Sequence, residues 1–113
     1  MKNVNKKSNI LVIHGPNMNL LGIITKDNNK ITLDKLNTHL RKTANNLGLK
    51  LKIIQSNDEA RVVSIIQRMR NKIGGIVLIP GPWQESGYIL RDTLQILSIP
   101  YITISTEGGP GIL

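Results

Sequence analysis

The chain has 113 residues, a length typical of one domain with a single modest core. Hydrophobic residues make up 40% of it, with one Trp and no Phe, so the core must consist mainly of Ile, Leu and Val. Cys is absent, which excludes a disulfide framework, a thiolate metal site and a cysteine nucleophile. No apolar run approaches the roughly 20 residues of a membrane span, and no signal peptide is recognisable. We therefore expect a cytoplasmic protein.

The formal net charge of +8 raises the question of nucleic-acid binding. The lysines and arginines are scattered along the chain, and no aromatic residues alternate with them to stack on bases. Nucleic-acid binding is therefore a minor alternative that rests on charge alone. A basic site for an anionic metabolite is also compatible with this charge.

The hydrophobic pattern predicts alternating strands and helices after a disordered basic tail at residues 1–8. We expect residues 9–113 to form a single domain. Thr32 is a plausible N-cap for the first helix, whose inward face extends to Leu47, and Gly48 is its stop signal. The predicted strands cover residues 9–14, 49–55, 76–79 and 101–105, and the predicted helices cover residues 33–47, 58–72 and 87–98.

This alternation predicts right-handed crossovers and a parallel sheet. The expected fold class is α/β, a flavodoxin-like three-layer sandwich with strand order 2-1-3-4. Such folds normally continue with a further strand and a closing helix, and we expect both to be missing here. The fourth strand would then be an open edge that association with another chain covers.

In such a sheet, ligands bind beside the loops that follow the strands. Here those loops contain residues 15–19, 56–59, 80–87 and 103–109, which are rich in amide, hydroxyl and carboxylate groups. They are suited to a polyhydroxylated small molecule, although Asn, Gly, Ser and Asp are also ordinary turn residues. The spacing matches neither a P-loop nor a dinucleotide-binding loop.

The chain contains two histidines, and neither predicts a metal site. His39 falls on the outer face of the first predicted helix, where we expect it to be solvated. His14 ends the first strand, and we expect it to order the Asn17 turn by hydrogen bonding.

Several separate blocks of the sequence resemble the type II 3-dehydroquinate dehydratases, over nearly all of residues 9–105. The blocks are HGPNMNLLG at 14–22, QSN at 55–57 with Glu59 nearby, PG at 80–81, and LRDTL at 90–94. The resemblance implies dehydration of 3-dehydroquinate to 3-dehydroshikimate in the shikimate pathway, without a cofactor. It also implies a trimer-based homo-oligomer, which in the family is a dodecamer.

The resemblance assigns roles to several residues of this chain. Asn17 matches the Asn that holds a catalytic water, and Asp92 matches an Asp contributed across the trimer contact. Thr106 and Glu107 match positions whose backbone amides bind the substrate. The family's basic tyrosine and its arginine lie on the loop after the first block, but residues 23–30 contain neither.

Other family positions hold different residue types here. Ile79 replaces an Asn that holds the substrate, and Glu85 replaces a substrate-binding His. Thr103 and Ser105 replace a Glu and the His that acts as the general acid. The chain also ends before the arginine that pairs with the substrate carboxylate.

Three hypotheses follow. The first is a family member that is inactive or nearly so, with a ligand less polar and less anionic than dehydroquinate. The second is an active dehydratase with relocated groups, in which Glu85 is the base and Lys26 or Lys30 contacts the anion. The third is a basic binding module for a small molecule or a nucleic acid.

Overall fold

A computed structural model describes residues 6–21, 31–105 and 111–113. In this part of the chain, parallel strands form one sheet in the order β2-β1-β3-β4, as predicted. In the central strand, His14 lies opposite Gln55 on one side and Ile79 on the other, so these strands end at the same edge. The strands are β1 (Asn9–His14), β2 (Lys50–Gln55), β3 (Gly75–Ile79) and β4 (Tyr101–Thr103).

The helices connect these strands, and capping side chains mark where two of them begin. Thr32 precedes the first helix, and its hydroxyl oxygen accepts a hydrogen bond from the Lys35 backbone N–H at 3.2 Å. Asp58 precedes the second and accepts from two backbone N–H groups of its first turn. The helices are α1 (Leu33–Asn46), α2 (Glu59–Met69), α3 (Trp83–Ser86) and α4 (Tyr88–Leu97).

The core has one layer on each face of the sheet, because strand side chains alternate between the faces. On one face, Leu11 and Ile13 of β1 pack with α2, α3 and α4. On the other face, Val12 packs with Met18 and Ile79 beneath α1. The three layers agree with the predicted flavodoxin-like α/β sandwich.

The structure corrects three predicted details. Helix α3 was not predicted, because Pro80-Gly81-Pro82 reads as a turn; Pro82 instead has the helical φ of −60° that suits the start of a helix. Strand β4 ends at Thr103 rather than at residue 105. Leu47 is 68% exposed, since it lies beyond the last residue of α1 rather than on its inward face.

The first described residues are part of the packed chain. Lys6–Ser8 form a short 3-10 turn, and the backbone of Lys6 and Lys7 lies so close to Gly74 that a Cβ atom there would overlap it. The boundary predicted between a tail and a domain stays a prediction. No helix in the described ranges is both long and apolar enough to cross a membrane.

Candidate functional site

The loops after β1 and β2 are joined by a set of amide hydrogen bonds. Gln55 Nε2 donates to the Gly15 carbonyl at 3.2 Å and to Asn57 Oδ1 at 3.1 Å. The same Asn57 oxygen accepts from the Asn17 backbone N–H at 3.0 Å. We call Gly15, Asn17, Gln55 and Asn57 the amide cluster. Asn17 has φ 69°, a left-handed conformation that Asn tolerates, and its side chain is exposed at the predicted ligand edge.

A glycine brings the loop after β3 against this cluster. The Gly15 N–H donates to the Ile79 carbonyl at 2.8 Å. A Cβ atom at position 15 would lie 2.6 Å from the Pro80 oxygen and 2.9 Å from the Ile79 oxygen. The close approach of the two backbones therefore requires Gly15. Ile79 itself is 5% exposed, and its side chain packs in the α1-side core.

Glu85 lies on α3, in the same loop region, and its side chain is exposed. Helix α3 is anchored by Trp83, which is 5% exposed, and by the described C-terminal residues. The Ile112 N–H donates to the Gln84 carbonyl at 2.8 Å, and Gln84 Nε2 donates to the Leu113 carbonyl at 3.1 Å. Within the described ranges, no group donates a hydrogen bond to the Glu85 carboxylate.

Asp92 is exposed on α4, and its nearest described partner is Arg91, with 3.6 Å between Asp92 Oδ1 and Arg91 Nη2. The Arg91 guanidinium lies 5.4 Å from the centre of the Tyr88 ring. No hydrogen bond among the described residues joins Asp92 to the amide cluster. Thr106 and Glu107 lie outside the described residues, so their predicted substrate contacts stay predictions, as do the roles of Asn17, Glu85 and Asp92.

His14 is completely buried, and its partner differs from the one predicted. Its Nε2 lies 2.8 Å from Asn37 Oδ1 on α1, so it does not order the Asn17 turn through its ring. Its Nδ1 has no hydrogen-bond partner among the described residues. Burial lowers the pKa of His14 below the ordinary 6.5, and the Asn37 hydrogen bond offsets only part of this effect. His14 is therefore a neutral residue that links the sheet to α1.

Sequence reasoning also missed a contact between helices. Glu59 Oε2 accepts from the Leu90 backbone N–H at 2.9 Å, so the first residue of α2 caps the first turn of α4. A carboxylate near a helix N-terminus is favourable because the N–H groups there carry partial positive charge. Nothing in the local sequence around Glu59 indicates that its carboxylate caps α4, because Leu90 lies 31 residues further along the chain.

The assembled edge offers an exposed Asn17 side chain beside two backbone loops, and α3 carries the exposed Glu85 carboxylate. Among the described residues, no three His, Asp or Glu side chains are grouped as a metal site requires. Binding by amide and backbone groups is the chemistry that this arrangement supports.

A sequence model of the class II dehydroquinase family matches residues 8–106. The chain is 35% identical over 97 residues to a 3-dehydroquinate dehydratase from Trichodesmium erythraeum, covering 85% of this chain and 65% of the relative. It is 38% identical over 96 residues to one from Roseiflexus castenholzii, covering 84% and 61%. The crystal structure of a type II dehydroquinase from Butyrivibrio crossotus superposes with a TM-score of 0.77 at 31% identity, covering 88% of this chain and 69% of that chain. The chain thus spans about two thirds of its relatives' length.

Proposed function

Because the chain belongs to the class II dehydroquinase family, we propose that it keeps the family's fold and ligand edge but has little or no dehydratase activity. The observation that carries this proposal is the burial of the Ile79 side chain in the core. The family resemblance places a substrate-holding Asn at this position, where the chain has a buried aliphatic side chain. That side chain packs into the α1-side core with Val12 and Met18, so it presents no polar group to a ligand.

The groups needed for proton transfer are also replaced. Thr103 and Ser105 stand where the resemblance places a Glu and the acid His, and an alcohol does not exchange protons near neutral pH as an imidazole does. Residues 23–30 provide neither the tyrosine nor the arginine of the family's base. Since a general acid or base typically contributes about 10²–10⁴-fold, losing both would remove most of the turnover.

The ligand of this edge is expected to differ from dehydroquinate. Glu85 is an exposed carboxylate at the position of a substrate-binding His, so it repels a substrate that itself bears a carboxylate. With Ile79 also apolar, the edge favours a less polar and less anionic small molecule. A trimer-based homo-oligomer, a cytoplasmic location and a link to the shikimate pathway belong to the same proposal.

The direct test is to incubate the purified chain with 3-dehydroquinate and follow the ultraviolet absorbance of the enone product. The Trichodesmium erythraeum relative, assayed alongside, is the positive control. We expect the rate with this chain to equal the blank. Turnover above the blank would refute the proposal, and its loss in Glu85→Gln would identify Glu85 as a relocated base.

A binding measurement distinguishes a site that binds 3-dehydroquinate without converting it from one that does not bind it at all. Calorimetry with 3-dehydroquinate is expected to show weak binding that strengthens in Glu85→Gln, because the substitution removes a negative charge without changing the side-chain shape. Binding that is unchanged in this variant would contradict the predicted role of Glu85 in rejecting an anionic ligand.

A further inference from the structure

A basic groove lies between α1 and β2, which is one of the two edge strands of the sheet. Its volume is about 570 Å³, which falls within the range of ligand-binding clefts. Basic residues form part of its lining, and aliphatic residues form another part. The lining residues are Arg41, Lys42, Ala44, Asn45, Leu49, Lys50 and Leu51.

The positive charge of this groove is not neutralised within the described ranges. None of its lining residues is Asp or Glu, and the only salt bridge between described residues joins Arg91 and Asp92 on α4. Lys52, two residues after Lys50 on β2, is also exposed. The groove and the adjoining strand therefore present a concentrated share of the chain's net charge of +8.

The outer edge of β2 adds backbone groups to this charge. The Ser56 N–H donates to the His14 carbonyl, and in a parallel ladder alternate residues face the same neighbour. Even-numbered residues of β2 therefore face β1, while the N–H and C=O groups of Leu51, Ile53 and Gln55 face outward. Such an outward row is a template for another strand.

Two arginines currently occupy part of this edge. Arg41 Nη1 donates to the Leu51 carbonyl and Arg61 Nη1 donates to the Gln55 carbonyl, each at 3.4 Å. Both distances are long for a hydrogen bond, so little is lost when a better donor replaces the guanidinium. A strand that pairs with β2 would supply backbone N–H donors, and both arginines would become available to carboxylates.

We propose that the basic groove and the β2 edge bind an extended acidic peptide segment of a partner protein. Leu51 and Ile53 pack toward α1, whereas Lys50 and Lys52 occupy the alternate positions of the strand. A peptide in which aliphatic and acidic residues alternate fits this arrangement. Its aliphatic side chains would lie over Leu49 and Leu51 on the α1 side, and its carboxylates would lie beside Lys50 and Lys52 on the opposite face of the strand.

A peptide explains the surface better than a nucleic acid does. No aromatic residue lines the groove, so bases would find no stacking platform. The outward row of N–H and C=O groups can pair with a peptide backbone, whereas a sugar-phosphate backbone has no N–H groups to offer the carbonyls. The proposal does not depend on the function proposed above, because no residue that lines the groove belongs to the amide cluster and the β2 edge shares only the Gln55 backbone with it.

The test is fluorescence anisotropy with a labelled alternating glutamate–valine peptide of about ten residues, long enough to span β2. The groove variant combines Arg41→Glu with Lys50→Glu. The control variant combines Arg68→Glu with Lys72→Glu, which changes the net charge by the same amount at exposed positions outside the groove. Circular dichroism confirms that both variants are folded. A second peptide carries N-methyl groups on its valines, which removes alternate backbone donors.

We expect saturable binding to the parent chain that weakens by roughly tenfold or more in the groove variant and stays unchanged in the control variant. The N-methylated peptide should lose a similar factor, because strand pairing needs its N–H groups. An equal loss of affinity in both variants would mean that binding depends only on the net charge of the chain, and this result would overturn the proposal. Equal binding of the N-methylated peptide, no binding at all, or tighter binding of single-stranded oligo-dT of equal charge would also overturn it.

Discussion

Lowering the pH should destabilise this protein through His14. The Asn37 oxygen can only accept, so Nε2 carries a proton, and a second proton on Nδ1 would bury a positive charge and an N–H group without a partner. The folded state therefore resists protonation, which lowers the pKa of His14 below the 6.5 expected in the unfolded chain. The free energy of unfolding is therefore highest above pH 6.5, where the ring is neutral in both states. It decreases as the pH falls from 6.5 to the folded-state pKa of His14.

The size of the effect follows from proton linkage. Between the two pKa values the unfolded chain binds more of a proton than the folded chain, by at most one, so the free energy of unfolding falls by at most about 1.4 kcal/mol per pH unit. Urea unfolding from about pH 8 to about pH 5 measures this slope above the range in which ordinary carboxylates titrate. His14→Gln removes the ionisable ring, and His39→Gln is the control because His39 is exposed on α1.

We expect the slope to disappear in His14→Gln and to persist in His39→Gln. The same slope in all three proteins would refute the reasoning. If His14→Gln does not fold, NMR of the parent chain provides the test, because the midpoint of the His14 ring titration should lie below pH 6.5. A ring signal assigned to His14 that titrates at 6.5 or above would contradict the assigned burial.

Four further substitutions test the fold. Gly15→Ala should destabilise the chain or displace the loop at Pro80, because its Cβ would lie 2.6 Å from the Pro80 oxygen. Gly48→Ala, with φ 74° but no heavy atom within 4 Å, should lower the free energy of unfolding in urea by only about 1–2 kcal/mol. Asp58→Ala removes the acceptor of two N–H groups at the start of α2 and should cost about 0.5–2 kcal/mol. Leu90→Ala, at a position with 0% exposure, should cost about 2–5 kcal/mol, and a loss below about 1 kcal/mol in thermal unfolding would contradict its place in the core.

The sheet and most helices could be predicted because their signals are local. The run Ile10–Ile13 is uniformly aliphatic, as a strand buried on both faces requires, and Thr32 and Asp58 are capping residue types at helix starts. The strand order was predicted from the usual pattern of flavodoxin-like folds, and the structure confirms it as β2-β1-β3-β4. The aliphatic run and the capping residues each lie within a short stretch of chain, so they could be recognised without tertiary information.

The contacts that build the candidate site were less predictable because they join residues far apart in the sequence. His14 meets Asn37 across 23 residues, and Glu59 caps Leu90 across 31. Nothing near His14 distinguishes a ring that orders its own turn from one that bonds a helix. The position of Ile79 was predicted from the resemblance, but its packing into the α1-side core required the structure.

The amide cluster shows why strong family blocks need not mark an active enzyme. Asn57 accepts two hydrogen bonds, Gln55 reaches the loop after β1, and Gly15 permits close contact with β3. Each of these signature residues contributes to joining strand ends, whether or not a reaction takes place beside them. Retention of the blocks is therefore explained by these structural contacts alone. The proposed loss of activity rests on the side chains of Ile79 and Glu85, which form no hydrogen bond with the cluster among the described residues. For this chain, the dehydratase assay must decide activity independently of the degree of resemblance.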